Sequence, residues 1–84
     1  MARYFKTDGT ITDVNPKNGT DFSLEELQKA VDGYIEIVYL QDDDIAVVNE
    51  EGIIRKMPHN INASIMVGFP VFGDVLICKS NEVK

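Results

Sequence analysis

One cysteine, Cys78, and one histidine, His59, leave this 84-residue chain with no chemical staple. A lone thiol closes no intramolecular disulfide, and Cys78 with His59 falls short of the four Cys/His ligands of a structural zinc site. A chain of this length hides only roughly 60–65% of its unfolded surface on folding, so its core is thin. That core must come from ordinary apolar burial in one domain, and oligomerisation is the remaining way to add buried area. The hydrophobic fraction of 44% is enough for a globular fold.

The chain carries a net charge of −6. Such a balance opposes non-specific binding to DNA, RNA or anionic membranes, which needs clustered Lys and Arg. No apolar run approaches the roughly 20 residues that span a bilayer, and residues 1–6 hold no signal-like apolar stretch. A cytoplasmic protein is expected. The acidity is uneven: Asp32, Glu36, Asp42, Asp43, Asp44, Glu50 and Glu51 lie between Lys29 and Arg55 with no basic residue among them. A solvated set of turns accounts for this run; an acidic face for a basic partner is the sharper alternative.

Local patterns give an α+β reading. Residues 3–7 and 10–14 form strand-like runs around Asp8-Gly9, which suits a type I′ hairpin turn, and residues 15–20 form a loop. Ser23 and Glu26 make a capping box, Phe22 and Leu27 have staple spacing, and Leu24, Leu27 and Val31 share a face beside Ala30. Gly33 sits where a left-handed cap would end a helix over 24–32.

A three-strand meander is expected next. Residues 34–40 read as a central strand covered on both faces, followed by 45–49 and 53–57. Its two acidic turns would then lie at opposite ends of the sheet, about 17 Å apart, and not form one site. Asn60 would cap a short second helix over 61–66, residues 75–78 make a final strand, and 80–84 a polar tail. The predicted architecture is therefore a small antiparallel sheet (N-terminal hairpin, meander and C-terminal strand) packed with one main helix and a second short one. The domain divides into 1–20 hairpin and loop, 21–79 core and 80–84 tail.

The residues Ser23-Leu24-Glu25-Glu26-Leu27-Gln28, then Val31, Gly33-Tyr34-Ile35-Glu36, Val48-Asn49-Glu50-Glu51-Gly52, Pro58, Asn60, Ala63 and Gly73-Asp74-Val75-Leu76, resemble the family labelled domain of unknown function 3846. The likeness runs from about residue 24 to 78. Asp32 departs from the glycine of that pattern, which concerns the helix cap. The resemblance implies a small protein of phages, plasmids and their bacterial hosts, with no activity assigned. Genes of that kind often encode factors that interfere with host processes, including antiviral defence.

No residue constellation supports catalysis, and no cofactor or metal is expected. His59 follows Pro58 in a turn without a visible orienting partner. Cys78, within an apolar strand, reads as a small buried hydrophobe. Asp42-Asp43-Asp44 lacks the 12-residue spacing and central glycine of a calcium loop.

Binding remains. Residues 65–72 are strongly apolar yet broken by Gly68 and Pro70, so they either cover the core or form an interface, with Phe69 and Phe72 as anchors. Asn60 reads as a turn or cap residue that could also meet a ligand. Arg55 and Lys56 would point to opposite faces of a strand, so only one could serve an anion site. The expected function is stoichiometric binding of a host protein through an acidic or apolar surface. The alternatives are an oligomeric sponge for a small nucleotide signal, and a housekeeping binding module. Asp42, Asp43, Asp44, Glu50, Glu51, Arg55, Asn60, Phe69 and Phe72 are the candidate contact residues.

Overall fold

The computed structural model describes residues 2–83. Met1 and Lys84, where the N-terminal reading begins and the polar tail ends, lie outside the described residues. The elements run β1 (Ala2–Phe5), β2 (Ile11–Val14), α1 (Leu24–Val31), β3 (Ile35–Tyr39), β4 (Asp44–Asn49), α2 (Ile61–Val67) and β5 (Val75–Lys79), with a 3₁₀ turn at Ser80–Glu82. All strand pairings are antiparallel, in the order β2-β1-β5-β4-β3. The fold is α+β, with a sheet between two helical layers.

Alternation along the strands splits the core into two halves, because successive side chains point to opposite faces. Leu27 and Val31 of α1 cover Ala2, Ile45, Val47, Leu76 and Cys78 on one face. Ala63 of α2 and Val71 cover Phe5, Ala46, Val48, Val75 and Ile77 on the other. Complete burial of a side chain such as Leu27 contributes about 1.5–3 kcal/mol, and a two-sided core compensates for the short chain.

The α1 signals act as the sequence predicts. Glu26 N–H donates to Ser23 Oγ (3.2 Å), and Ser23 N–H donates to Glu26 Oε1 (3.0 Å). Phe22 and Leu27 are both buried in the same cluster. Leu24 is the exception: it is exposed, while Phe22 before the cap is buried. The left-handed cap is Asp32 (φ 60°), one residue before the expected Gly33. The departure from the family pattern thus falls on a left-handed residue, where glycine's freedom would help.

Four further expectations change. The first hairpin has only Gly9 at positive φ and closes through Lys6 N–H to Thr10 C=O and Gly9 N–H to Lys6 C=O. It is a three-residue loop and not a type I′ turn. Residues 80–83 are not a loose tail, since Phe22 N–H donates to Glu82 C=O (2.6 Å) and Val83 packs on the α1-side core. Residues 53–57 form no strand; they lie in successive turns closed by Arg55 N–H to Glu51 C=O and Met57 N–H to Gly52 C=O. The third place in the meander is filled by β5, which pairs with β4. Finally, β3 is an edge strand, and the centre of the sheet belongs to β5 and β4.

The β3–β4 connection supplies the type I′ geometry missing from the first hairpin. Asp42 (φ 58°) and Asp43 (φ 63°) are both left-handed, and Asp44 N–H donates to Gln41 C=O. Asp tolerates this region better than most residues, and glycine better still. Asp43→Gly is therefore expected to raise stability by about 0.5–1 kcal/mol, read as a higher urea midpoint. A lower midpoint would contradict the turn assignment.

Candidate binding groove

The candidate contact residues scatter into three groups. Asp42, Asp43 and Asp44 form the β3–β4 turn, where Lys79 Nζ lies 2.9 Å from Asp44 Oδ1 and 2.9 Å from the Asp42 carbonyl. That lysine is held charged above its usual range by the Asp44 hydrogen bond. The turn explains the triple aspartate. Glu50 and Glu51 lie beyond the far end of β4, as expected, so the two acidic clusters share no site.

A second group is committed to internal bonds. Arg55 donates to the Asp32 carbonyl (2.5 Å) and pairs with its carboxylate (3.3 Å), fastening the 51–56 turns to the end of α1. Asn60, expected as a cap with a share in binding, is 1% exposed. Its amide donates to the Phe5 and Gly73 carbonyls (2.8 and 2.9 Å), and its oxygen accepts from Ala63 N–H (3.1 Å). Asn60 caps α2 and joins it to β1 and to the approach of β5. Glu51 N–H donates to Asn49 Oδ1 (2.7 Å).

The third group meets in one place. Glu50, Phe69 and Phe72 line a groove of about 400 Å³ on the α2 side of the sheet. Among the lining residues missed from sequence are Glu36 and Val38 on β3, Val48 on β4, and Gly52, Ile53 and Ile54 in the following turn. One signal was available for Ile53 and Ile54. Residues 53–57 run apolar, apolar, charged, charged, apolar, which breaks the period-2 alternation of a half-buried strand.

Two close approaches fix the groove walls. Gly52 abuts the Phe72 backbone, where a Cβ would stand 2.8 Å from the Phe72 carbonyl oxygen. Residues 58–60 hold the loop on the other side, through Asn60 N–H to Val71 C=O and Gly73 N–H to Pro58 C=O. Segment 65–72 therefore plays both roles that sequence left open. Val71 is core, whereas Ile65, Met66 and Phe69 are exposed.

The groove joins apolar surface to negative charge. Ile53 and Ile54 are 73% and 80% exposed, and Phe69 is 49% exposed. Among the described residues, Glu36 and Glu50 are the only ionisable ones lining it. A second cleft, of about 580 Å³, lies between α1 and the first hairpin. Its rim sets Lys17 and Lys29 against Glu25 and Glu26, so it has no net sign. Glu26 is held ionised by hydrogen bonds from the Ser23 and Lys17 backbone and is already spent on the helix cap.

Nucleophile chemistry is disfavoured where it could arise. His59 Nε2 lies 3.1 Å from Ser64 Oγ. The single hydroxyl proton of Ser64 already goes to the Asn60 carbonyl (2.6 Å), and Oγ accepts from Val71 N–H (2.9 Å). This network assigns the His59 proton to Nε2, donating, which is the reverse of a base drawing a proton from serine. The ring also packs at a tilt against Phe72, with centroids 5.3 Å and planes 39° apart.

Cys78 is buried, and desolvation pushes its thiol up from 9.0 to about 11, with Glu82 adding to the effect. Burial likewise raises Tyr4 to about 12, helped by Asp74, while its hydroxyl donates to the Ala30 carbonyl. Both groups ionise more easily when unfolded. Their contribution is full below about pH 9 and falls as pH rises through the folded values. Alkylation of Cys78 at pH 8 is expected to be slow until urea unfolds the chain; rapid labelling of the native protein would contradict this.

A family model described as Domain of unknown function (DUF3846) matches residues 6–84, reaching beyond the 24–78 segment into the first hairpin. No curated protein and no solved structure matches the chain. The residues that carry the likeness are largely joints of the fold. Gly52 permits a close backbone approach, Asn49 and Asn60 satisfy buried carbonyls, and Asp74 accepts from Thr7 N–H (2.9 Å).

Proposed function

The chain belongs to this family, whose description assigns no activity, and on that footing we propose that it is a non-enzymatic accessory protein that acts by stoichiometric binding of a host protein. The observation that carries this reading is the groove, in which exposed isoleucines and phenylalanine meet two carboxylates with no cation among the described lining residues. Aromatic and aliphatic anchors in such a recess supply contact area, and the carboxylates select a partner bearing Lys or Arg. Residues 60–73 carry no charge in a chain that is 26% charged, so the adjoining surface also favours apolar contact.

A cytoplasmic site of action and a phage or mobile-element setting accompany the proposal, with antagonism of host defence as the process it would serve. Among the described residues no helix is long and apolar enough to cross a membrane. The nucleotide alternative has less support, because the lysines of the other cleft face glutamates.

Tagged protein incubated in bacterial host lysate tests the reading. Wild type and Asp42→Asn are expected to retain one protein at fixed stoichiometry, and Phe69→Ser to lose it. Retention by Phe69→Ser at the wild-type level would overturn the proposal.

A further inference from the structure

Strand β3 has the composition of an interior strand and the position of an edge. Ile35, Ile37 and Val38 place apolar side chains on both faces, yet among the described residues only β4 pairs with it. Its backbone is open in a defined pattern. Glu50 N–H donates to the Tyr34 carbonyl and Leu40 N–H to the Asp44 carbonyl, which bracket the ladder. Antiparallel bonding alternates, so even-numbered residues face β4, and the N–H and C=O groups of Ile35, Ile37 and Tyr39 face outward. The strand has no lysine, no proline and no bulge in its pairing register, and its one charge is Glu36. The opposite edge, β2, presents Thr12 and Asp13 and is mostly exposed.

This open edge borders the groove, which Glu36 and Val38 line. We infer that β3 receives an extended segment of a partner protein as a sixth strand, whose groove-facing side chains (every second residue) include apolar ones over Val38 and Lys or Arg beside Glu36 and Glu50. Strand addition supplies affinity through main-chain hydrogen bonds and specificity through alternate side chains. Charge decides the occupant. A second copy brings another −6 and no cation on its own β3, whereas a basic segment is complementary to both carboxylates. The inference rests on the proposed protein-binding role and specifies its partner class and geometry.

The probe is the heptapeptide Lys-Thr-Val-Thr-Val-Thr-Lys, which sets valine and lysine on one face in either strand direction; its counterpart has glutamate in place of lysine, and the readout is amide hydrogen exchange by NMR. The lysine peptide is expected to slow exchange at Ile35, Ile37 and Tyr39 by about tenfold or more. Glu36 and Val38, already bonded to β4, should change little, and the glutamate peptide should protect nothing. Tyr39→Pro removes one outward N–H from a residue whose side chain is 78% exposed. It should abolish binding, while Tyr39→Ala keeps it.

Binding of the lysine peptide without protection of those amides would overturn strand addition, as would equal protection by both peptides. Protection that appears without peptide as protein concentration rises would assign the edge to a second copy and also overturn it. Host-protein capture lost with Phe69→Ser but unaffected by Tyr39→Pro would leave the binding role standing and reject this geometry.

Discussion

Asn60→Asp is expected to be the most damaging single substitution in this fold, although it exchanges one NH₂ for one oxygen. The native amide gives one proton each to the Phe5 and Gly73 carbonyls in a site closed to water. A carboxylate there would face two carbonyl oxygens with no proton between them, and leave a buried charge unpaired. Taking up a proton would satisfy only one of the two. A domain of this size has roughly 4–12 kcal/mol of total stability. The substitution should remove about 4 kcal/mol or more at neutral pH.

The sign of its pH dependence separates this cause from simple loss of contact. The introduced carboxyl would have its folded pKa raised above its unfolded value. Stability should then be highest below the unfolded value, near pH 4, and fall as pH rises. Asn60→Ala removes both of these donated bonds and the one accepted from Ala63 N–H without adding charge, at an expected cost of about 3–5 kcal/mol and without that trend. Urea denaturation at pH 4 and pH 7 reads both. A neutral-pH loss below about 1 kcal/mol for either variant would contradict the role assigned to Asn60.

Asn49→Ala is the second large effect. Asn49 ends β4 almost fully buried and donates to the Val31 carbonyl (2.8 Å) and more distantly to that of Asp32 (3.3 Å). Those carbonyls lie at the C-terminal end of α1, where the helix supplies no amide of its own; Arg55 also donates to that of Asp32, so the Val31 carbonyl depends most on Asn49. Its oxygen accepts from Glu51 N–H, so the same side chain suspends the turn that carries Ile53 and Ile54. Truncation should cost about 2–4 kcal/mol, since buried groups lose their partners at both ends. The accompanying rise in hydrogen exchange should be largest at residues 50–56 and at the end of α1. A uniform rise across the sheet would show instead that Asn49 merely fills space.

What could be read from sequence divides by the range of the interaction. Helix α1 was legible because its start and stop lie within ten residues of each other, in Ser23, Glu26, Phe22 and the Asp32-Gly33 cap. Strand order was not, because composition reports how apolar a strand is and not which neighbour covers it. Strand β3 looked central for that reason and proved to be an edge. Residues 53–57 looked like a strand because β-branched Ile53 and Ile54 outweighed the missing alternation. Asn60 was recognised as a cap, but its bonds to carbonyls at positions 5 and 73 are products of the finished fold. In the groove, Phe69 and Phe72 stood out as aromatics in a segment broken by Gly68 and Pro70. Their companions come from β3, β4 and the 50–54 turn, and no local pattern joins these.

Two kinds of residue are thus distinguished: asparagines and glycines that hold the chain together, and exposed isoleucines and phenylalanine that serve a partner. A urea titration of the Ile53→Ser, Ile54→Ser double variant separates them most directly. Surface substitutions away from structural features change stability by no more than about 0.5 kcal/mol each. The variant should therefore unfold within about 1 kcal/mol of wild type while its capture of the host protein is lost. A loss above about 2 kcal/mol would mean that these side chains belong to the core, and the groove would no longer be a surface made for binding.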